Sequence, residues 1–262
     1  GEFQVNTYTP GDQMFSSVTA LSGGGFVVAY QSLDLSRMSY GISAQRYDAS
    51  GSPVGSEFFI NETESGSQVD VRLAALDNGG FAAVWSDSGN DGSGYGIFGR
   101  RFDSSGTAID ANDFQVNSAI SGTQADAGIT GLPDGGFIVT WTSASASGDT
   151  SSYGVAGQRF DASGNKIGTE FLVNTTTANQ QKYPYVTALD DGDFVVAWGS
   201  DLQAGGNSEL GVYAQRFASA APSGTVTTTD HTVSTVTGST TGEAPFGSDV
   251  SFGVGGKTLT VD

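Results

Sequence analysis

The stretch that decides the fold runs Gly79-Gly80-Phe81-Ala82-Ala83-Val84-Trp85, then a polar loop, then Gly96-Ile97-Phe98-Gly99-Arg100-Arg101-Phe102-Asp103. Its first half is a glycine turn feeding an unbroken apolar run. Neighbouring side chains on a strand point to opposite faces, so such a run needs cover on both. Its second half is a strand closed by a basic, an aromatic and an acidic residue. Three further copies follow the same plan: Phe26 to Tyr30 is answered by Gly41 to Tyr47, Phe137 to Trp141 by Gly154 to Phe160, and Phe194 to Trp198 by Gly211 to Phe217.

Working outward, the copies share a period. Phe3, Phe58, Phe114 and Phe171 open equivalent segments, EFQVN, EFFIN, DFQVN and EFLVN, at steps of 55, 56 and 57 residues. Ten residues after each stands Gln13, Gln68, Gln124 or Gln181, and then Leu21, Leu76, Leu132 or Leu189. Each unit reads as four strands: a short one (18–21, 73–76, 129–132, 186–189), a turn whose glycines supply positive φ, the apolar run, the strand ending in Arg-aromatic, and the Phe-containing segment. A four-stranded meander repeated about every 55 residues has the period and strand count of propeller blades.

The chain opens on a fourth-strand segment, residues 2–6, while the last copy stops after its third strand at Phe217. The sequence therefore predicts an all-β, four-bladed β-propeller over 1–217. Its blades are 18–61, 73–117, 129–174, and 186–217 completed by 2–6 pairing beside 211–217, which closes the ring and removes sheet edges. An open array, or four blades of a larger ring, is the structural alternative. Residues 218–245 are rich in Ser, Thr, Ala and Gly and read as a linker, and 246–262 as a strand-forming tail or the start of a further module.

Composition agrees with this class and narrows the partners. Thirty-nine glycines, 16 phenylalanines and only 15% charged residues suit short strands and tight turns. Ten basic against 28 acidic residues give a net charge of −18, which disfavours nucleic acid and anionic membranes. No apolar run approaches the roughly 20 residues of a membrane helix, so no membrane insertion is expected. The absence of cysteine excludes disulfides, thiolate metal sites and cysteine nucleophiles.

Four sets of residues invite a functional reading. Arg46, Arg101, Arg159 and Arg216 recur once per repeat. They read as structural forks to backbone carbonyls, or to a carboxylate such as Asp48, Asp103 or Asp161, in preference to a ring gripping anions. Gln13, Gln68, Gln124 and Gln181 fall in the loop before the strand nearest the axis. There they either line the channel mouth and bind a ligand or tie the loop down. Asp87, Asn90 and Asp91, with Gly92, partly match a calcium loop, although Gly89 and Phe98 stand where ligands are needed; Ca²⁺ is the cofactor expected on hard-ligand grounds. The loops 31–40, 86–95, 142–153 and 199–210, which include Leu33, Arg37 and Met38, differ where the strands agree. Tyr40, Tyr95 and Tyr153 end three of them, with Leu210 in the fourth, and read as sugar platforms or as packing residues. The sole histidine, His231, lies outside the repeats, so no histidine-based triad fits inside the propeller.

The whole unit, GGFVVxW…GxxxQRFDxxGxxxGxEFxVN, resembles repeats of large hemolysin-type, calcium-binding, type I-secreted bacterial surface proteins (RTX-like). The resemblance implies an extracellular or bacterial cell-surface location, calcium, and adhesion or surface assembly. The Gly-Gly-x-Gly-x-Asp nonapeptides of that class are absent, so its calcium ligands map onto no position here. The expectation is a secreted, non-enzymatic module that binds a carbohydrate or cell-surface protein through its loop-rich face. The alternatives are a structural subunit or spacer that self-associates through 218–262, and a polysaccharide-cleaving enzyme that uses carboxylates.

Overall fold

The computed structural model describes residues 1–35, 38–146, 149, 153–201, 210–218, 250–254 and 257–261. The chain forms two compact units, Gly1–His231 and Thr232–Asp262. The first is an all-β array of four antiparallel blades, in agreement with the propeller read from the sequence. Blade 1 is β1 (Gln13–Ala20), β2 (Phe26–Asp34), β3 (Ser39–Tyr47) and β4 (Pro53–Phe59). Blade 2 is β5 (Gln68–Ala75), β6 (Phe81–Ser88), β7 (Tyr95–Phe102) and β8 (Phe114–Gln115). Blade 3 is β9 (Gln124–Gly131), β10 (Phe137–Ser143), β11 (Gly154–Phe160) and β12 (Lys166–Leu172). Blade 4 has β13 (Gln181–Ala188), β14 (Phe194–Asp201) and β15 (Leu210–Phe217). In the second unit, β16 (Val250–Val254) and β17 (Lys257–Val261) form a hairpin. Most of the expected linker 218–245, with His231, and Arg37 lie outside the described residues.

The paired glycines at the first turn have separate duties. Gly24, Gly79 and Gly135 adopt φ of 85°, 86° and 83°, a conformation that glycine takes without strain. At Gly25, Gly80 and Gly136 a Cβ would stand 2.3, 2.1 and 2.3 Å from the carbonyl oxygen of Tyr47, Phe102 and Phe160, so the third strand approaches only a bare backbone.

The apolar runs are covered on both faces because each blade packs on the next. Val27, Ala29, Ile42 and Ile60 of blade 1 meet Val71, Leu73, Phe81 and Trp85 of blade 2 in one core. Ala82, Val84, Ile97 and Val116 meet Ile129, Phe137, Val139 and Trp141 in the second, and Ile138, Val155 and Val173 meet Phe194, Val196 and Trp198 in the third. An aromatic pair seals each interface. Phe81 and Phe102 stack at 4.8 Å, and Phe58 of the preceding blade tilts onto Phe102 at 6.0 Å. Phe137, Phe160 and Phe114 repeat this, as do Phe194, Phe217 and Phe171. At the start of the chain Phe3 takes the same place, 5.1 Å from Tyr47, which stacks on Phe26.

Two details differ from the sequence reading. The first strands begin at the glutamines themselves, ahead of 18, 73, 129 and 186, and each carries a bulge that breaks the alternation by which a strand is recognised. The expected pairing of 2–6 beside 211–217 is not formed: residues 2–6 are not a strand, and β15 is the last member of a three-stranded sheet. The opening segment is tied to blade 1 instead, with Glu57 accepting from the Thr7 amide at 2.8 Å and its hydroxyl at 2.7 Å. Among the described residues no extensive contact joins blade 4 to blade 1.

Candidate functional site

The first strands β1, β5, β9 and β13 neighbour one another in that order, so they are the innermost strands of the array. Each bulge holds one residue at positive φ: Phe15 (52°), Asp70 (57°), Asp126 (55°) and Tyr183 (59°). Non-glycine residues in this region are strained, and such strain gathers at functional sites. The bulges are anchored across blades. The Asp70 amide donates to Gln31 Oε1 at 3.3 Å, and the Tyr183 amide donates to Thr142 Oγ1 at 3.0 Å.

Two carboxylates thus sit on adjacent innermost strands, and the charge of Asp70 acts on Asp126. Burial is the largest effect on Asp126 and raises its pKa above the ordinary 3.8, with Asp70 adding to the rise. A hydrogen bond from Thr142 and the charges of Lys182 and Arg72 oppose it. The result is a carboxyl group held closer to its neutral form beside a second carboxylate. A cavity of about 170 Å³ opens at this point, walled by Thr123, Asp126, Thr142, Tyr153, Lys182 and Tyr183. Lys182 Nζ lies 4.0 Å above the Tyr153 ring.

Of the residues expected from sequence, the structure brings only Tyr153 into this cavity. Tyr40 and Tyr95 lie in β3 and β7, and the Tyr40 amide donates to Ser67 Oγ at 3.4 Å. The glutamines are strand anchors. Gln68, Gln124 and Gln181 are fully buried; each accepts from an asparagine, Asn61, Asn117 or Asn174, at 3.2 to 3.3 Å, and donates to the carbonyl three residues back. Gln13 makes the same bond with Asn6 but is only partly buried. Each of these glutamines precedes the bulge residue by two, so the anchor fixes the strand that carries Asp70 or Asp126.

The trio Asp87, Asn90 and Asp91 is held by hydrogen bonds, with Asp91 Oδ2 buried and unpartnered among the described residues. Asp87 is buried, and amide donors fill its oxygens, Gln68 Nε2 at 3.0 Å and Asn90 Nδ2 at 2.5 Å. Asp91 accepts from the Ser93 amide at 2.9 Å. No group of three or more acidic or histidine side chains suited to a metal occurs among the described residues. The recurring arginines are forks. Arg46 donates to the Ser104 carbonyl at 2.6 Å and to Ser105, and Arg101 to the Ala162 carbonyl at 2.9 Å, each in the next blade. Their carboxylate partners are Asp110 for Arg101, Asp134 for Arg159, and Asp191 and Asp193 for Arg216; Asp48 and Asp103 instead cap their own turns.

Neither a protein-family model nor a characterised protein sequence matches this chain. Solved structures do. The GH93 α-L-arabinofuranosidase of Fusarium graminearum superposes with a TM-score of 0.57 at 12% identity, over 78% of this chain and 62% of that one. The α-L-arabinanase of Penicillium chrysogenum gives 0.55 at 13% identity over the same shares, 78% and 62%. An endo-arabinase of Bacteroides thetaiotaomicron gives 0.51 at 16% identity, over 80% and 78%. The shared feature is the fold, and this chain spans 62% of the length of the two fungal proteins. These matches correct the expected kinship with hemolysin-type surface repeats: the neighbours are enzymes that act on carbohydrate. The expected non-enzymatic adhesion module falls with it. Sequence reading overlooked the carboxylate pair because it sought function in the loops and the symmetric positions.

Proposed function

We propose that this chain cleaves glycosidic bonds in a polysaccharide, with Asp126 as proton donor and Asp70 as the partner carboxylate. The observation that carries the proposal is the placement of two acids on the adjacent innermost strands β5 and β9, of which Asp126, raised by burial, lines a cavity. Glycoside hydrolysis needs a carboxyl group protonated enough to give its proton to the departing oxygen and a carboxylate on the other side of the sugar. Asp126 protonates the glycosidic oxygen as the bond to the anomeric carbon breaks. Asp70 stabilises the positive charge that develops there; water then supplies the new hydroxyl and returns its other proton to Asp126. Tyr153 and Tyr183 offer aromatic surface for a sugar ring. The arabinanase and arabinofuranosidase activities of the structural neighbours suggest arabinan as the first substrate, and an extracellular location suits a polymer of that size.

The test is release of reducing ends from arabinan and a panel of other polysaccharides by the wild-type chain, Asp126→Asn and Asp70→Asn. Loss of a general acid removes about 10²–10⁴ in rate. Unchanged activity in both variants would sink the assignment of the pair, whereas a wild-type chain inactive on every polymer would sink the function itself.

A further inference from the structure

The blade before each strained bulge places a polar side chain at one recurring position. Gln31, Ser86 and Thr142 are the sixth residues of β2, β6 and β10. Gln31 Oε1 accepts from the Asp70 amide at 3.3 Å and Thr142 Oγ1 from the Tyr183 amide at 3.0 Å, whereas Ser86 Oγ is buried and has no partner among the described residues. Thr142 also differs in what lies beside it. It opposes Ala125 in the β9–β10 ladder, next to Asp126, and it walls the cavity of about 170 Å³ together with Asp126 and Tyr183.

A hydroxyl has one proton to give and two lone pairs with which to receive. At Thr142 the Tyr183 N–H occupies the oxygen, and the residue is only 3% exposed, so bulk water does not compete for the proton. The carboxyl group of Asp126 is the acceptor at hand, and the two side chains are hydrogen-bonded.

We infer that Thr142 is a positioning residue of the proposed site: with its oxygen held by the Tyr183 amide, it gives its proton to Asp126 and keeps that carboxyl turned to the cavity. This rests on the reading of Asp126 as the proton donor. One oxygen then sets the acid of blade 3 against the aromatic platform of blade 4, so a sugar ring on Tyr183 meets the acid at a fixed place. A hydrogen bond given to a carboxylate favours its ionised form. Thr142 therefore works against burial, which is the larger effect, and keeps Asp126 able to part with its proton. The other charged or titratable groups around Asp126 are Asp70 and Arg72 of β5 and Lys182 and Tyr183 of β13, with Tyr153 on the cavity wall. Replacing Thr142 leaves each of them in the sequence.

The test follows the Asp126 carboxyl by carbon-13 NMR across pH, its signal assigned by loss in Asp126→Asn. Wild type is compared with Thr142→Val, Thr142→Ala, Thr142→Ser and Ser86→Ala, each beside a pH–rate profile on the polymer that the wild type cleaves best. Both hydroxyl-free variants of Thr142 are expected to titrate about one pH unit higher. The alkaline limb of the rate profile should move up with the midpoint, because activity falls where the donor loses its proton. Thr142→Ser keeps the hydroxyl and should titrate as wild type, and Ser86→Ala should move neither quantity. A merely structural role would lower the rate or the melting temperature and leave the midpoint in place. Wild-type midpoints in both hydroxyl-free variants overturn the inference, as does a serine variant that shifts as far as the valine one. The carboxyl titration needs no substrate. A chain inactive on every polymer would thus end the proposed function, while the NMR midpoints still decide the role of Thr142.

Discussion

Replacing Asn117 by alanine tests whether the buried asparagine-glutamine pair holds the first strands in place. Asn117 Oδ1 accepts from the Ile97 amide at 2.8 Å, and Nδ2 donates to the Ala119 carbonyl at 3.0 Å and to Gln124 Oε1 at 3.2 Å. The residue is 2% exposed and Gln124 is 0% exposed, so water cannot replace what is lost. Two buried groups are orphaned, the Ile97 N–H and Gln124 Oε1, at about 1–3 kcal/mol each, which gives a loss of about 2–6 kcal/mol. Asn6→Ala is the internal control. Asn6 bonds Tyr8 at 2.8 Å and Gln13 at 3.2 Å in partly exposed surroundings, and the free chain offers its Oδ1 no buried amide. Its loss is expected to cost about 1 kcal/mol or less.

Urea unfolding followed by fluorescence of the buried Trp85, Trp141 and Trp198 reads the difference. With a slope of about 2 kcal/mol/M, Asn117→Ala should move the midpoint down by roughly 1–3 M and Asn6→Ala by under about 0.5 M. Equal shifts would refute the reasoning, because the two residues match in sequence context and differ in burial. The same substitution loosens β9 two residues before Asp126, so turnover should fall even where the protein remains folded.

Other expectations rest on burial and charge. Asp126 has a raised pKa, so the folded state holds its proton more tightly than the unfolded chain. The resulting penalty is full above the raised value, shrinks as pH falls through it, and is gone below the ordinary 3.8. Asp126→Asn should therefore melt higher than wild type at pH 7 and level with it below pH 3.8, while activity is lost; a lower melting temperature at pH 7 would contradict the assignment. Asp87 is also raised by burial, and Ser32, Ser143 and Ser200 occupy its place in the other blades. Asp87→Ser should raise the melting temperature at pH 7 without altering turnover, a stability and activity pair that a metal ligand would not give. Phe160, 1% exposed and stacked 4.7 Å from Phe137, should cost about 3–5 kcal/mol when replaced by alanine, measured by the same urea titration.

The blades were legible because their cause is periodic. Apolar runs such as Phe81 to Trp85 need cover on both faces, and the Gly-Gly turns need both positive φ and a bare Cα, so the physics of the core is written four times. The forks at Arg46 and Arg101 were legible for the same reason. The candidate site was not, because it breaks that symmetry. Asp70 and Asp126 are 56 residues apart and are brought near one another only because β5 and β9 lie side by side. Their bulges also interrupt the alternation that would have placed them in a strand. One signal was present: aligned on the glutamines, the column Phe15, Asp70, Asp126, Tyr183 diverges between residues that agree. Positions repeated in every blade, the glutamines above all, are occupied in holding blades together. Chemistry has to be sought where one blade departs from the others, and on that ground the cavity beside Asp126, bounded by a lysine and two tyrosines from different blades, outranks the loop around Asp87.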